Sequence, residues 1–456
     1  MRELRETEKF LKRCLKKKVS ITVTLVISFM IAGIPNIEID ARDLRTRSSE
    51  ANTISPDKNG PNMSKSANGS DVVNIVDPNS DGLSHNKFID FSVGSGNNVI
   101  FNNNATSKSV TSQTGGLVFK NKNLNSEAKT ILTEVTGTKT SNINGTIEIA
   151  GKKADFILAN ENGINVNGAS FINTNGVTLS TGRVNVKDSK INFDVNKGNV
   201  SLNGVATAGQ YFNVIAKTIE LHREVAPLDK EPKPDITFVA GNNKVTLNKD
   251  KIEKIEKNKN TNDENKYGIY ASNLGAMYGN NIKLVSTGNG LGVKHEGIIL
   301  SEKDIEINSD GDIYLTAVNS QGNIKLKGKN LTTQNKEVNV NNKNYSGTIY
   351  AQGDINLNVD NDVNLNSALQ TENGDIKITA KNLVLLEKTS ARIISNKKIL
   401  LNLSEKLDVQ GVMIPSVKGV SSQDLVIFTD SNGKISVKNI KTGQVYNSDE
   451  VTWTAT

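Results

Sequence analysis

The sequence predicts an all-β protein, a right-handed single-stranded parallel β-helix (β-solenoid) with an N-terminal β cap and extra-helical hairpins. Three observations favour this fold class. Short apolar runs separated by Asn and Gly fill the chain, pairs of apolar residues recur with a period near 20, and aromatic residues and Pro are scarce. β-Branched residues and Leu fit a pleated, buried surface, whereas Asn and Gly tolerate positive φ and end such runs in tight turns.

The stretch from residue 154 to residue 182 shows this pattern most clearly. It contains three apolar runs, Phe156–Leu158, Ile164–Val166 and Val177–Leu179, with Asn and Gly between them. No helix of ordinary length fits between these breakers. Three strands with three corners predict one circuit of a solenoid.

A repeat is visible from about residue 280 onwards. Pairs of apolar residues flank one polar residue, and the pairs start 23, 19, 31, 21 and 23 residues apart. This alternation places each pair on one face of a strand, and the period is typical of a parallel β-helix. The longest interval holds a polar stretch, residues 335–346, which is predicted to be an excursion from one coil. The pairs are Ile282/Leu284, Ile305/Ile307, Ile324/Leu326, Ile355/Leu357, Ile376/Ile378 and Ile399/Leu401, and a second set comprises Ile313/Leu315, Val363/Leu365, Leu383/Leu385 and Leu407/Val409.

Residues 1–41 are predicted to be an extended signal peptide. Residues 1–18 carry eight Lys or Arg and three Glu, a net charge of +5 out of +7 for the whole chain, and an apolar run over Val19–Ile34 follows. That run is short for a membrane-spanning helix, although an uncleaved anchor is the alternative, and cleavage is expected after Ala41. Because the positive charge belongs mainly to this leader, the basic pI does not indicate a nucleic-acid partner.

The rest of the chain divides by composition. Residues 42–70 are polar, with hardly any large apolar residue, and predict a flexible linker. Ordered structure is expected from about residue 71, where a β cap covers the first open edge of the solenoid. Residues 301–412 predict continuing β-helix coils, and residues 413–456 predict a terminal hairpin or a frayed tail.

An insertion interrupts the pattern before the repeat. The apolar runs Ile236–Val239 and Lys244–Leu247 predict a β-hairpin. The charged stretch 249–266 that follows predicts a solvated loop or a short exposed helix, with a partner-binding arm as the alternative.

An ordered series of segments spans about residues 72–300. The series includes DGLSHNKFIDFSV (81–93), GTIEIAGKKADFILANENGINVNGASFINTNGVTLSTG (145–182) and ASNLGAMYGNNIKLVSTGNGLGVKHEG (271–297). It resembles the secretion domain of the filamentous haemagglutinins, the exoproteins of two-partner secretion (TPS). The resemblance implies a TPS domain over residues 71–300.

The resemblance also implies two secretion motifs. The family carries Asn-Pro-Asn-Leu and Asn-Pro-Asn-Gly-Ile, and this chain has Lys122 and Glu161 in place of the two prolines. The motifs either contact the secretion machinery directly or act only by folding the domain. The implied motif residues are Asn121, Asn123, Leu124, Asn160, Asn162, Gly163 and Ile164.

The sequence offers little for catalysis. It has no paired cysteines, no His-Glu-x-x-His and no Gly-x-Ser-x-Gly, and its three histidines, His85, His222 and His295, lie far apart. No enzyme activity, cofactor or metal is therefore expected. Acidic residues that recur just before strands fit ordinary turn chemistry, although clustered acids also occur in β-helical polysaccharide lyases. These acids are Asp304, Asp312, Asp354 and Asp375.

The function implied by the resemblance is that of a secreted exoprotein. The periplasmic POTRA (polypeptide-transport-associated) domains of an outer-membrane β-barrel transporter would recognise its N-terminal domain, and the chain would reach the cell surface through the periplasm. The resemblance implies a filamentous haemagglutinin-like adhesin that contacts a host-cell surface or glycans, and the sequence leaves a haemolysin or a contact-dependent toxin open as alternatives. It would be either a short family member or the front part of an interrupted gene. A β-helical polysaccharide lyase or carbohydrate-binding protein is the alternative.

Overall fold

Short β-strands joined by tight turns make up the regular structure. The computed structural model describes residues 50–228, 232–258, 266–288, 290–340, 342–385, 391–409, 413–421, 425–429, 435–439, 441–446 and 450–455. Over these ranges there is no α-helix, and so no helix that could cross a membrane. The signal peptide predicted for residues 1–41 and the cleavage expected after Ala41 lie outside the described residues.

The strands of the first half of the chain are β1 (Thr53–Pro56), β2 (Asn62–Lys65), β3 (Asp71–Asn74), β4 (Leu83–Ser92), β5 (Asn98–Asn103), β6 (Ser109–Ser112), β7 (Gly116–Phe119), β8 (Thr130–Val135), β9 (Ser141–Ile143), β10 (Thr146–Gly151), β11 (Ala154–Ala159), β12 (Ile164–Ile172), β13 (Thr174–Ser180), β14 (Arg183–Lys187), β15 (Lys190–Val195), β16 (Asn199–Thr207), β17 (Tyr211–Ala216), β18 (Thr218–Leu221), β19 (Glu224–Pro227), β20 (Asp235–Ala240), β21 (Asn243–Asn248) and β22 (Lys251–Lys257).

The strands of the second half are β23 (Tyr267–Ala271), β24 (Ala276–Gly279), β25 (Ile282–Ser286), β26 (Gly292–Ser301), β27 (Ile305–Ser309), β28 (Ile313–Ser320), β29 (Ile324–Gly328), β30 (Leu331–Thr333), β31 (Val338–Val340), β32 (Lys343–Tyr345), β33 (Ile349–Ala351), β34 (Ile355–Val359), β35 (Asp362–Leu365), β36 (Ala368–Thr371), β37 (Ile376–Leu385), β38 (Arg392–Ser395), β39 (Ile399–Val409), β40 (Met413–Ser416), β41 (Leu425–Thr429), β42 (Ile435–Asn439), β43 (Val445–Tyr446) and β44 (Thr452–Ala455).

Parallel pairing between successive coils arranges most of these strands in three ladders. Ladder 1 is β4-β8-β11-β13-β17-β20-β25-β27-β29-β34-β37-β39. Ladder 2 is β9-β12-β16-β18-β23-β26-β28-β30-β35-β37-β39. Ladder 3 is β3-β5-β10-β12-β16-β19-β24-β26-β28-β33-β36-β38. Each coil therefore contributes one strand segment to each ladder, which confirms the predicted parallel β-helix.

The apolar pairs that the sequence shows are successive rungs of these ladders. In ladder 1 the register aligns the first members of the six pairs, and in ladder 2 it aligns the second set in the same way. A fully buried Ile or Leu contributes ~1.5–3 kcal/mol, and a slip of one residue would turn a whole column towards solvent. The aligned columns are Ile282, Ile305, Ile324, Ile355, Ile376 and Ile399 in ladder 1, and Ile313, Leu331, Val363, Leu383 and Leu407 in ladder 2.

Phenylalanine fills the interior of the first coils. The rings of Phe88 and Phe91 in the cap lie 5.2 Å apart, and Phe91 is 5.8 Å from Phe101. Contacts of 5.1 Å and 6.0 Å continue the series to Phe156 and Phe171. All five rings are buried. Such tilted and edge-on ring pairs add to the stabilisation from burial and join the cap to the first coils.

The N-terminal cap begins earlier than the sequence predicts. Strand β1 pairs antiparallel with the second half of β4, and β2 pairs antiparallel with β3. The prediction of a flexible linker over residues 42–70 is therefore wrong for its described part. The reason is that β1 is ordered by backbone pairing with β4, more than thirty residues along the chain, and β2 by pairing with β3, which itself pairs with β5. The local composition does not reveal these partners.

Extra-helical sheets cover parts of the coil. Strands β14, β15, β21 and β22 form an antiparallel sheet whose apolar side packs on the outward residues of ladder 1, among them Ile157, Ile215 and Val239. The hairpin β31–β32 packs on ladder 3 at the position of the predicted excursion. A second hairpin, β6–β7, covers the start of the same ladder.

One predicted hairpin is wrong. The run at Ile236–Val239 lies in β20, a rung of ladder 1 between β17 and β25. The run at Lys244–Leu247 lies in β21, which pairs with β15 and β22 instead. The charged stretch 249–266 contains the edge strand β22 in place of the predicted loop or helix. This strand is held because Ile252 and Ile255 pack on the extra-helical core, while its Lys and Glu side chains face solvent.

The C-terminal strands are antiparallel. Strands β41 and β42 pair where the sequence predicts a terminal hairpin, and β43 extends the sheet. Strand β40 pairs with β44. Val417, Val437 and Val451 join the main core, so this segment packs on the last coils.

Hydroxyl groups tie together the corners that follow ladder 3. At equivalent positions in successive coils, Ser or Thr donates a hydrogen bond to a carbonyl of the preceding coil. Ala351 occupies the same column and is fully buried, but it has no hydroxyl group. The donors are Ser301, Ser320, Thr371 and Ser395.

We predict that Ala351→Ser stabilises the protein by about 1 kcal/mol, because the new hydroxyl can donate to the carbonyl of the preceding coil. The reverse change, Ser320→Ala, should destabilise it by a similar amount. Denaturant unfolding of both variants checks the expectation. A loss of stability in Ala351→Ser would show that this column has no room for an oxygen atom.

A buried carboxyl group, that of Asp155, lies between ladder 1 and the extra-helical sheet. Asp155 is buried beside Tyr211, and Asp250 stands in the turn between β21 and β22. Burial raises the pKa of Asp155 to about 6, against the lowering effect of the Tyr211 hydroxyl, and the charge of Asp250 adds to the rise. Burial and the charge of Asp155 also raise the pKa of Tyr211.

Asp155 is expected to make stability depend on pH. Its folded pKa of about 6 lies above the unfolded value of about 3.9, so its contribution is complete below pH ~3.9 and is lost as pH rises through about 6. Asp155→Asn should therefore gain stability relative to the wild type between about pH 4 and pH 7, by at most about 3 kcal/mol. Unfolding of both proteins across this range measures the difference.

The comparison with the wild type is needed because His295 acts in the opposite direction. Burial lowers the pKa of His295 to about 4, so its contribution is complete above pH ~6.5 and is lost as pH falls through about 4. Both proteins retain His295, and its effect cancels in their difference. A difference that stays constant with pH would contradict the expectation for Asp155.

Candidate functional site

The first predicted secretion motif forms a tight turn directly after the hairpin β6–β7. Asn121 is buried, and its Nδ2 donates to the carbonyl oxygens of Ile75 at 2.9 Å and Asn102 at 3.0 Å. Its Oδ1 accepts the backbone N–H of Asn123 at 3.0 Å. Leu124 closes the turn and enters the main apolar core. The motif therefore fastens this corner to the cap strand β3 and to β5.

The second motif forms the corner between β11 and β12. Asn160 is buried, and its Nδ2 donates to the carbonyl of Lys139 and to Ser141 Oγ, both at 2.9 Å. Its Oδ1 accepts the backbone N–H of Asn162 at 2.9 Å. The Asn162 Nδ2 in turn donates to the carbonyl of Gly137 at 2.9 Å. Both asparagines thus reach into the preceding coil.

Gly163 and Ile164 complete the second corner. Gly163 has a φ of +112°, a conformation that side-chain-bearing residues rarely adopt. A Cβ atom there would also lie 3.1 Å from the carbonyl oxygen of Asn199. Ile164 is fully buried and starts a rung of ladder 2.

The two turns share one design. In each, the backbone N–H three residues on donates to the first Asn carbonyl, at 3.3 Å for Leu124 and 3.1 Å for Gly163. The first Asn side chain bridges its own turn and an earlier segment of the chain. The turns belong to different corners, and no hydrogen bond between described residues joins them directly. Their amides organise backbone and carry no nucleophile or general base.

Sequence reasoning did not identify Glu148, which holds the hairpin that precedes the first motif. Its buried carboxylate accepts hydrogen bonds from Ser112 Oγ at 2.8 Å and from the backbone N–H groups of Gln113 at 2.7 Å and Thr114 at 2.9 Å. Thr114 Oγ1 donates a fourth, at 2.6 Å. A single Glu in a strand offers no sequence signal for this role, since its partners lie more than thirty residues away.

The three histidines have different partners and surroundings. His85 Nε2 lies 2.7 Å from Glu134 Oε2, and His222 Nε2 lies 3.2 Å from Glu220 Oε2. Burial opposes ionisation of Glu134, but His85 and Lys87 outweigh it and lower its pKa. His295 is buried in the interior column of ladder 2. Within the described ranges, no three Cys, His, Asp or Glu side chains are placed to share a metal ion.

The recurring acids form a ladder along the corner that precedes ladder 1. Each side-chain oxygen accepts the backbone N–H of the equivalent residue in the next coil, at distances from 2.8 to 3.4 Å. Asp312 is engaged in a neighbouring corner, where it accepts Asn330 Nδ2 at 2.7 Å. Asp304, Asp354 and Asp375 thus satisfy backbone groups, as their positions before strands predict, whereas Asp312 satisfies a side-chain amide. The acceptors of the corner ladder are Asp235, Asn281, Asp304, Asn323 and Asp354, and Asp375 continues it towards Lys398.

Comparison with known proteins identifies the family of the domain that contains the two turns. The family model of the TPS secretion domain matches residues 51–315. Filamentous hemagglutinin of Bordetella pertussis is 41% identical over 269 residues, which are 58% of this chain and 7% of that protein. A protein adenylyltransferase and cysteine protease of Histophilus somni, IbpA, is 40% identical over 268 residues, or 55% of this chain and 6% of that protein. A tRNA nuclease, CdiA, of Escherichia coli is 37% identical over 282 residues, or 60% of this chain and 8% of that protein.

A solved structure agrees with these similarities. The crystal structure of a filamentous hemagglutinin secretion domain superposes with a TM-score of 0.56 at 39% identity, covering 60% of this chain and 93% of that one. The chain spans less than a tenth of the length of the curated relatives, so the region it shares with them is the secretion domain. The chain therefore belongs to the TPS secretion domain family and is a filamentous haemagglutinin-like substrate of two-partner secretion, exported through the periplasm to the cell surface.

Proposed function

We propose that the periplasmic POTRA domains of an outer-membrane β-barrel transporter recognise the TPS domain, and that the exported chain acts as an adhesin at the cell surface. The match of residues 51–315 to the TPS secretion domain carries this proposal. The chain acts without catalysis of its own. Two observations support this. The recurring acids are engaged in hydrogen bonds at turns. The relatives that are named as enzymes match this chain over only 6% and 8% of their own length.

The fold supplies a physical reason for outward movement. Each coil that folds outside the membrane buries its inward Ile and Leu side chains against the previous coil, at ~1.5–3 kcal/mol for each fully buried side chain. Stability in such a repeat accumulates coil by coil. Folding outside the cell therefore opposes the return of the chain through the transporter.

We infer that the two Asn-x-Asn turns serve secretion by folding the domain. Asn121 and Asn160 are almost fully buried, and both donate to the main chain or a hydroxyl of an earlier segment. Their amides are therefore engaged inside the folded domain. Contact with the transporter would then use the chain before these turns form.

The positions of the two replaced prolines allow a test of turn folding. Lys122 and Glu161 each occupy the second position of a four-residue turn, where Pro pre-sets the backbone. Lys122→Pro and Glu161→Pro should each stabilise the domain by about 0.4–1 kcal/mol, because they restrict the unfolded chain. The ion pair of Glu161 with Arg183, at 3.3 Å on the surface, contributes little.

Asn162→Pro is the matched control in the same turn. It removes the N–H that Asn160 Oδ1 accepts, and it should destabilise the domain. Denaturant unfolding ranks the three variants against the wild type. Destabilisation by both Lys122→Pro and Glu161→Pro would contradict the turn geometry described above.

Secretion and binding together test the proposed function. The full chain, folded or held in urea, is titrated against the periplasmic domains of its transporter, and export is measured in cells with and without the transporter. We expect the unfolded chain to bind and export to require the transporter. Absence of binding in both states, together with export that persists without the transporter, would overturn the proposal.

The double variant Asn160→Ala/Asn162→Ala separates folding from recognition. We expect it to lose export and stability, because it removes donors to Lys139, Ser141 and Gly137, while its unfolded form still binds the transporter domains. Asn165→Ala, an exposed change on the next strand, should leave both unchanged. Loss of binding by the unfolded double variant would instead assign these amides to direct recognition.

A further inference from the structure

The solvent-facing side of ladder 2 carries an aromatic and charged row at three successive rungs. The register aligns Tyr270 of β23 with Lys294 of β26, and Lys294 with Tyr314 of β28. Glu220 precedes this row and Thr332 follows it. The two tyrosine rings therefore stand on alternate rungs, with the lysine between them.

A third tyrosine joins the row because a glycine leaves room for it. A Cβ atom on Gly292 would lie 3.0 Å from the ring of Tyr267. The Tyr267 ring lies over Gly292 and makes an edge-on contact with the Tyr314 ring, with ring centroids 6.0 Å apart and ring planes at 88°. The Lys266 ammonium lies 5.5 Å from the Tyr267 centroid and 5.8 Å from that of Tyr314.

Hydrogen bonds and ion pairs fix the polar ends of this row. Tyr270 donates its hydroxyl to Glu296 Oε2 at 2.9 Å, and Lys294 Nζ lies 3.0 Å from Glu296 Oε1. The same ammonium lies 5.6 Å from the centre of the Tyr270 ring. Aromatic side chains with two rotatable bonds lose little entropy on binding, and here they are already held in place. We name this surface the tyrosine platform: Tyr267, Tyr270 and Tyr314 with Lys266, Lys294 and Glu296.

The coil itself does not require aromatic residues at these positions. The same outward row of ladder 2 has small polar residues in other coils, at Asn165, Ser201, Thr332 and Asn364. Stability comes from the inward columns, which in this part of the chain are aliphatic apart from His295. A cluster of partly exposed rings with polar ends is instead suited to a ligand that has both apolar and polar faces.

We propose that the tyrosine platform binds a neutral oligosaccharide. The ring faces would pack on the C–H faces of the sugars, and Glu296 and Lys294 would exchange hydrogen bonds with their hydroxyl groups. Three rungs span about 10 Å, enough for about two sugar units. Lys294 is paired with Glu296, and Lys266 lies within electrostatic reach of Asp312, so the two ammonium groups leave no excess positive charge for a sulfated chain. The inference deepens the proposed role of the exported chain as an adhesin.

Binding assays with the purified full chain test the proposal. The probes are the neutral trisaccharides cellotriose, chitotriose and maltotriose, with a heparin hexasaccharide as the anionic probe. We expect at least one neutral trisaccharide to bind, and Tyr267→Ala and Tyr314→Ala each to weaken that binding at least tenfold. Tyr270→Phe should weaken it less, because it keeps the ring.

Tyr350→Ala is the matched control. Tyr350 lies on the outside of ladder 3 and donates its hydroxyl to Glu372 at 2.6 Å, as Tyr270 does to Glu296, but it is not part of the platform. Its replacement should leave sugar binding unchanged. Failure of all three neutral sugars to bind, binding of heparin alone, or equal binding by the wild type and Tyr314→Ala would each overturn the proposal.

A measurement on the wild type covers the case of a variant that does not fold. Nitration of tyrosines with tetranitromethane, read by mass spectrometry, should fall at Tyr267, Tyr270 and Tyr314 when the bound trisaccharide is present, and should not change at Tyr350. Equal nitration with and without sugar would count against the platform. Export is measured separately in cells with and without the transporter. A chain that binds sugar but is exported equally well without the transporter would overturn the proposed function and not this site.

Discussion

Each coil obtains much of its backbone hydrogen bonding from the coils on either side, and the remaining features of the structure depend on this pairing. The three parallel ladders preserve one register over many coils, so inward Ile and Leu residues form continuous columns. Excursions such as β31–β32 are accommodated because the chain leaves at a corner and returns in the same register. Within residues 50–455, the part that the structure describes, no coil precedes the first one, and the antiparallel cap strands supply backbone pairing there.

The interior of the coil is constrained by packing, whereas its outer surface is not. Phenylalanines fill the first coils and the cap, whereas later coils are lined by aliphatic residues. In the function proposed above, the transporter recognises the chain before the turns at Asn121 and Asn160 have formed. Adhesion would use the finished surface, where side chains on the outer face of a rung can change without disturbing the column behind it. One repeat can therefore serve both stages.

The ladders were readable from the sequence because the apolar pairs repeat with the period of the coil, and every pair from Ile282 to Leu401 lies in ladder 1. The turn character of the two motifs was also readable, since Asn and Gly mark corners. The partners of Asn121 and Asn160 were not, because they lie 19 to 46 residues away. The same limit explains the errors at residues 42–70 and 236–247. For residues 236–247 the local composition predicted the two strands correctly, but it does not indicate which sheet each strand joins.

The corner ladder that runs from Asp235 to Asp375 has a consequence for the length of such proteins. Each acceptor serves the N–H of the following coil, and the residue that donates this N–H usually carries the next acceptor. A duplicated coil with Asp or Asn at this corner would be satisfied on both sides as soon as it was inserted. Genes of this type can therefore lengthen or shorten by whole coils without leaving an unpaired backbone N–H at this corner.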